Sequence, residues 1–244
     1  MKSLLITLNA FFKHVILLLK PYLLFGFLIK PFIFFANILS LTKWISQQPR
    51  KGVFNDFFTL RKDYSKRYLL YKFVVDTHQL KEEAIDYLEL GVCGGQSFEW
   101  WVEANKNEAS RFYGFDTFEG LPENWGMFFN KGDMYATVPN LNDDRATFIK
   151  GLFQETLVPF LLKNPLVNNK RKVIHLDADL FSSTLFSLGT LYPYLKKNDI
   201  LFFDEFNVPN HEFYALKLFT EAFYIKTELI GAVNNYYQVA LLVK

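Results

Sequence analysis

From residue 63 onward, apolar and polar positions run in blocks whose period switches between the helical and the strand value. In "DYSKRYLLYKFVVDTHQL" (63–80), Tyr68, Tyr71, Val74 and Val75 recur at helical spacing, which predicts a helix. "AIDYLELG" (84–91) then reads as a strand, "QSFEWWVEAN" (96–105) as a helix and "RFYGFD" (111–116) as a strand. Residues 117–145 form a long loop. "RATFIKG", "KVIHLDAD" and "DILFFDEF" are further strands; "FQETLVPFLL", "SSTLFSLGTLYPYL" and "HEFYALKLFTEAF" are helices, the second capped by Ser182 or Ser183. "YIKTELIG" and "YYQVALLVK" close the chain as a hairpin turned by "AVNN". Strands alternating with helices predict an α/β fold: a doubly wound, Rossmann-like, mostly parallel seven-stranded sheet with one antiparallel strand from the hairpin. In such sheets ligands bind beyond the carboxyl ends of the strands. That directs attention to Glu89–Ser97, Asp116, Gly151–Phe153, Asp177–Asp179 and Asp204–Phe206.

The first 45 residues follow neither pattern. They are dominated by Leu, Ile and Phe, which predicts an apolar helical segment. A spanning helix needs roughly 20 predominantly apolar residues. Here Lys13, Lys20 and Lys30 interrupt the run, and Pro21 and Pro31 break or kink it. The stretch is too long for a secretory signal and has no small-residue cleavage site. Basic residues with aromatics suit helices lying in a bilayer interface or a shallow hairpin, their lysines reaching anionic head groups. A span over 21–42 would have to bury Lys30, which is costly. The competing reading is a helical cap covered by the domain or by a second subunit, which would make the protein a homo-oligomer. "SQQPRKG" (46–52) opens a linker. The expected division is therefore 1–45 apolar basic segment, 46–62 linker and 63–244 catalytic domain, with the segment membrane-associated and the domain cytoplasmic.

Charge sharpens that division. The whole chain carries +2, which does not point to nucleic acid. Yet no acidic residue precedes Asp56, while Lys2, Lys13, Lys20, Lys30, Lys43, Arg50 and Lys51 do. The two parts therefore face different partners. A single cysteine, Cys93, excludes an internal disulfide framework, and there is no Cys/His cluster for zinc.

Three motifs carry chemistry. "YLELGVCGGQS" (87–97) is a strand, a glycine turn and a helix start. Gly91, Gly94 and Gly95 admit close backbone approach, and free N–H groups near Gln96 and Ser97 favour an anionic group. The spacing is not G-x-G-x-x-G, and many α/β proteins turn on glycines here. Asp116 ends the next strand, about 25 residues on, where a carboxylate accepts from ribose hydroxyls; a solvated strand-end aspartate is the plainer reading. Together the two motifs favour a nucleoside-containing ligand. Thirdly, Asp177 ends one strand and Asp204 and Glu205 end the next. Acids converging at neighbouring strand ends repel unless a cation joins them, and oxygen donors suit Mg²⁺ or Ca²⁺. Helix capping and solvation would account for them otherwise. His211 follows the fifth strand and is a candidate general base; a loop histidine is more often simply exposed. His175, inside a strand, reads as a core histidine.

At these residues the chain resembles a known family. "YLELGVCGGQSFEWW", "FYGFDTFEGLPENW", "KGLFQETL" and "IHLDADLFSSTLFSLGTLYPYLKKNDILFFDEF" look like the macrocin O-methyltransferases. These are class I S-adenosylmethionine-dependent methyltransferases that act on hydroxyls of sugars in natural products. The resemblance spans roughly residues 63–243 and leaves out the apolar start. It implies that Glu89, Gly91 and Gly95 line the methionine part of S-adenosylmethionine, with Ser97 at the helix start. It places Asp116 and Thr117 at the ribose and Gly151, Leu152 and Phe153 near the adenine. Asp177, Asp204 and Glu205 match positions that bind Mg²⁺ in metal-dependent relatives, Asp177 lying at both the metal and the cofactor. The catechol type has a lysine base three residues after its first metal aspartate; here that position is Leu180.

The expected activity is thus O-methylation of a hydroxyl on a sugar, glycan or related small molecule, with Asp177 and His211 as catalytic groups. Two readings compete. One is a non-catalytic methyltransferase-like module in a membrane-bound biosynthetic complex. The other is a nicotinamide-dependent oxidoreductase, which the missing G-x-G-x-x-G opposes. The aromatic-rich loop 123–140 is a candidate lid or acceptor wall.

Overall fold

The computed structural model of the protein describes residues 2–126, 128–164, 166 and 170–244. Met127, in the candidate lid, lies outside the described residues.

The predicted blocks form the predicted elements. After α4 (Lys66–Thr77) come β2 (Ile85–Leu90), α5 (Gln96–Ala104), β3 (Arg111–Asp116), β4 (Ala146–Lys150), α6 (Phe153–Lys163) and β5 (Arg171–Leu176). Then follow α7 (Phe181–Leu191), β6 (Ile200–Phe203), α8 (Glu212–Phe223), β7 (Thr227–Val233) and β8 (Gln238–Val243). Among the described residues the sheet has eight strands, not seven, in the order β1-β7-β8-β6-β5-β2-β3-β4. The extra edge strand β1 (Phe54–Asn55) comes from residues 46–62 and pairs parallel with β7 through Gly231 and Ala232. Two residues are too short to show a period, but Phe54 stacks on Phe73 of α4 at 5.4 Å, which holds the strand in place. β8 is the one strand antiparallel to its neighbours, as the hairpin requires. The cap of α7 differs from expectation. Its N-cap is Leu180, and Ser182 Oγ instead donates to Glu123 in the long loop, at 2.6 Å.

Strand alternation sends successive residues to opposite faces, and each face builds its own core. Leu88 and Leu90 of β2, Ile174 of β5 and Leu201 and Phe203 of β6 join the layer under α6, α7 and α8. Tyr87, Val173, Ile200 and Phe202 join the opposite layer, under α4 and α5. Each such side chain, fully buried, contributes about 1.5–3 kcal/mol of transfer free energy.

The N-terminal segment forms α1 (Lys2–Leu19), a short α2 (Tyr22–Phe25) followed by a 3₁₀ turn, and α3 (Ile29–Ser46). By length and composition, Lys2–Leu19 and Tyr22–Ser46 are each apolar enough to cross a membrane. α1 buries nothing. α3 buries only Asn37 and Leu41. Asn37 Nδ2 donates to Asn210 Oδ1 at 2.9 Å, and the Trp44 ring lies 5.0 Å from Phe206 and 6.1 Å from Tyr236. The last part of α3 thus docks on the domain, while residues 29–36 stand exposed.

Candidate active site

Strand order reverses between β2 and β5: the chain runs outward through β3 and β4, then returns to the other side of β2. Ligands bind at that kind of switch point. Here the carboxyl ends of β2 and β5 touch. Gly91 has φ +99°, and a Cβ on it would lie 1.8 Å from the Asp177 carbonyl oxygen. Only glycine fits, because both the backbone angle and the space exclude a side chain.

Beyond this contact lies a cavity of about 280 Å³. On its glycine side are Gly91, Ser97, Asp116 and Thr117; Leu152 and Phe153 form an apolar wall; Asp177, Asp179 and Glu205 lie on the acidic side. Asp116 ties the turns together. Its Oδ2 accepts the N–H groups of Val92 and Cys93, both at 2.8 Å, and its Oδ1 accepts that of Phe118 at 2.7 Å. A carboxylate offers about four acceptor sites, so capacity for a further donor remains. The first N–H groups of α5, at Gln96 and Ser97, have no intrahelical acceptor and face the same region.

Five predicted residues, Glu89, Gly95, Gly151, Asp204 and His211, do not line the cavity. Glu89 is fully buried beneath the turn, accepting from Ser97 Oγ at 3.1 Å and from the Tyr87 hydroxyl. Gly95, at φ +82°, packs against Pro139. His175 is a satisfied core histidine, as expected. Its ring nitrogens lie 3.3 Å from the Tyr71 hydroxyl and 3.1 Å from that of Tyr87.

The acids meet in a different combination from the expected one. One ligand atom each from Asp177, Asp179 and Glu205 lie within 4.8 Å of one another, and so do atoms from His175, Asp177 and Asp204. Both His175 nitrogens are already engaged, so the all-oxygen set is the more capable cation site. Asp204 Oδ2 is taken by the Tyr64 hydroxyl, which also accepts from Arg67 Nη1 at 2.8 Å. Tyr237 donates to Glu205 Oε1 at 2.8 Å. That leaves Asp204 Oδ1 and Glu205 Oε2 buried without a hydrogen-bond partner. Orphaned buried carboxylate oxygens are costly unless a cation takes them. The donor set therefore fits a hard divalent ion such as Mg²⁺.

Electrostatics agree with that. Burial, then repulsion from Asp204 and Glu205, pushes the Asp177 carboxyl well above its ordinary range. Glu205 moves the same way, by burial and then Asp204. Asp179 rises to about 7, chiefly by burial. Burial and the surrounding acids drive the Tyr64 hydroxyl strongly upward, so it stays a proton donor.

His211 sits beside this cluster without lining the cavity. Its ring lies beside the Asp179 backbone and 6.4 Å from Trp125, and its Nδ1 is buried without a partner. Burial lowers its pKa, favouring the neutral ring. Sequence reasoning missed Tyr64 and Arg67, and it placed Asp179 at the strand end without naming it a ligand. The first two come from the start of α4, over 100 residues from the acids they meet. Asn235 and Asn234 in the β7–β8 turn bring them there by accepting the N–H groups of Thr59 and Asp63, at 2.8 and 2.9 Å. Asp179 was visible in the acidic run but gave no sign of its direction. It adopts φ +56°, a left-handed turn that aspartate tolerates, beside Asp177.

Residues 88–206 match a protein-family model described as a methyltransferase domain. No curated protein sequence matches the chain. Among solved structures, the calicheamicin methyltransferase CalS11 superposes with a TM-score of 0.57 at 21% identity, covering 85% of this chain and 91% of that one. The O-methyltransferase NovP gives 0.53 at 20% identity, covering 73% and 78%. Apo CalS11, described as a TDP-rhamnose 3′-O-methyltransferase, gives 0.51 at 20%, covering 85% and 93%. Likeness at that identity speaks for the fold. Residues 88–206 are thus similar to a methyltransferase domain, and the chain has a Rossmann-like fold that it shares with these O-methyltransferases.

Proposed function

We propose that the protein is an S-adenosylmethionine-dependent O-methyltransferase of the macrocin type, assisted by a divalent cation and acting on a hydroxyl of a sugar or glycan. The observation that carries this reading is the adjacency of two features: the glycine turn closed by Asp116, and three acids with oxygens within 4.8 Å of one another. The first suits a nucleoside cofactor; the second suits a hard cation beside the acceptor. The sugar-modifying activities named for CalS11 support the acceptor class by fold analogy.

In this reading Asp116 accepts one ribose hydroxyl at its remaining acceptor site, with Thr117 beside it. Gly91 lets the methionine part of the cofactor approach the backbone, and the α5 N–H groups receive its carboxylate. Leu152 and Phe153 cover the base. S-adenosylmethionine, when bound, supplies an electrophilic sulfonium methyl. Asp177, Asp179 and Glu205 would hold Mg²⁺, whose charge lowers the pKa of an acceptor hydroxyl. Tyr64 and Arg67 fix the neighbouring Asp204. His211 lies beside the Asp179 turn, so we assign it a positioning role rather than contact with the acceptor. Leu121, Pro122 and Met134 from the long loop wall off the cavity and help exclude water. Displacement at a methyl group demands alignment of acceptor and donor, which rigid strand ends supply. The exposed apolar helices at the N-terminus associate with a membrane surface, the domain remaining in the aqueous phase.

Calorimetry tests this directly. S-adenosylmethionine should bind the wild type, and Mg²⁺ should bind with it. Asp177→Ala should abolish the Mg²⁺ heat and weaken the cofactor at least about tenfold. Absence of cofactor binding by the wild type would overturn the assignment; cofactor binding indifferent to Mg²⁺ would remove the metal alone.

A further inference from the structure

A second cavity, of about 510 Å³, adjoins the first on its acidic side. It shares Tyr64, Met134 and Glu205 with it and adds Lys62, Trp125 and Tyr237. Its walls come from two loops, 56–64 and 125–138, together with Glu205 and Tyr237. Outside this mouth both loops present large apolar side chains to solvent. Leu60 is 92% exposed, Phe58 69%, Phe128 82% and Tyr135 69%. Exposed apolar side chains clustered around one opening mark an interaction site.

The docked part of α3 lies next to the same opening. Asn37 bonds Asn210, next to His211, whose ring meets Trp125 of one loop. Trp44 meets Tyr236, whose ring lies 5.6 Å from Phe57 of the other loop. α3 therefore borders the mouth with its docked part. Its residues 29–36 continue past the domain by about 12 Å at helical rise, exposing Phe32, Phe34 and Phe35. Charge identifies what covers these surfaces. The segment before Asp56 holds seven basic and no acidic residues, while the loops are balanced, Arg61, Lys62 and Lys131 against Asp56, Asp63 and Asp133, with Asp63 accepting from Ser65 Oγ at 2.6 Å. The other two loop acids are internally engaged: Asp56 pairs with Lys66 at 2.6 Å, and Asp133 accepts the Asn130 N–H at 2.6 Å. Aromatic and aliphatic side chains among lysines match an anionic lipid surface.

We propose that this rim seats the mouth of the site on an anionic bilayer, so that the acceptor enters from the membrane side and carries a lipid anchor. What is methylated there rests on the methyltransferase reading; the docking itself does not. Hydrogen exchange on the full chain tests it, with vesicles of phosphatidylcholine alone and of phosphatidylcholine with phosphatidylglycerol. Amides of residues 57–62 and 128–135 should exchange about tenfold more slowly on the anionic vesicles. The turn at 105–110, at the opposite end of the strands, should not change. Leu60→Asp with Phe128→Asp, both at exposed positions, should remove the loop protection while flotation through α1–α3 persists.

Flotation with freely exchanging loops would overturn the proposal, as would failure to float. Protection that appears without vesicles and rises with protein concentration would place a second copy of this chain on the rim, and would also overturn it. Cofactor calorimetry on the same samples separates the two ideas. A protein that docks but binds no S-adenosylmethionine refutes the enzymatic reading alone.

Discussion

At the residue scale, function depends on a few positions where one atom more is too many. An alanine at Gly91 would drive its Cβ into the Asp177 carbonyl, at a backbone angle that side chains rarely adopt. Gly91→Ala should therefore lower S-adenosylmethionine affinity at least about 100-fold and cost more than about 2 kcal/mol of stability. Gly94→Ala is the control. Its Cβ would meet only the flexible Gln96 side chain, nearest atom 3.1 Å, and cofactor titration should change little. The need for glycine after β2 was legible in the sequence; that Gly91 and Gly95 are constrained while Gly94 is not was hidden, since the clashes are with Asp177, 86 residues from Gly91, and with Pro139. Likewise the sequence offered Asp177 and Glu205 as candidate cation ligands, and their oxygens do converge. Asp179 was not offered, because its left-handed turn, at φ +56°, leaves no mark in the local sequence.

At the scale of elements, β5 is held to the strand next to it by a buried ion pair. Lys172 Nζ lies 3.4 Å from Asp199 Oδ2, with the lysine wholly buried. Asp199 also accepts the N–H groups of Lys172 and Lys196, at 2.9 and 2.7 Å. Burial raises the Asp199 pKa and these partners oppose that rise. Removing one member of such a pair strands the other charge. Asp199→Ala should cost about 3–5 kcal/mol in urea unfolding. Lys217→Ala, which breaks the exposed pair with Glu221, should cost at most about 1 kcal/mol. A loss below about 1 kcal/mol in Asp199→Ala would mean that the pair does not hold β5 in place.

At the scale of the whole molecule, the acidic cluster couples stability to pH and metal. Asp177, Asp179, Glu205 and Glu212 all have carboxyl pKa values raised by burial. The folded state then binds more protons than the unfolded chain between the ordinary carboxyl range and, for Asp179, about 7. This contribution is fully present below about pH 4 and is lost as pH rises through about 7. Metal-free protein should therefore melt at a lower temperature at about pH 7.5 than at about pH 5.5. Mg²⁺ binds the ionised acids, so it should raise the melting temperature more at the higher pH. Scanning calorimetry at both pH values, with Mg²⁺ or chelator, measures this; a metal-free protein that gains stability on going to pH 7.5 contradicts it.

The sequence by itself determined the alternation of strands and helices, the hairpin that closes the sheet, and the carboxyl-end motifs. Period, turn chemistry and strand-end acids are local signals. It also separated the apolar, acid-free first segment from the domain, because composition is likewise local. Only the tertiary structure decided the rest. The two-residue β1, the meeting of Tyr64 with Asp204, the approach of Asp179 to Glu205, and the docking of Asn37 and Trp44 on the domain all rest on contacts between distant residues. Such contacts are selected by packing and by the partnering of buried polar groups, for which no short stretch of chain carries a signature.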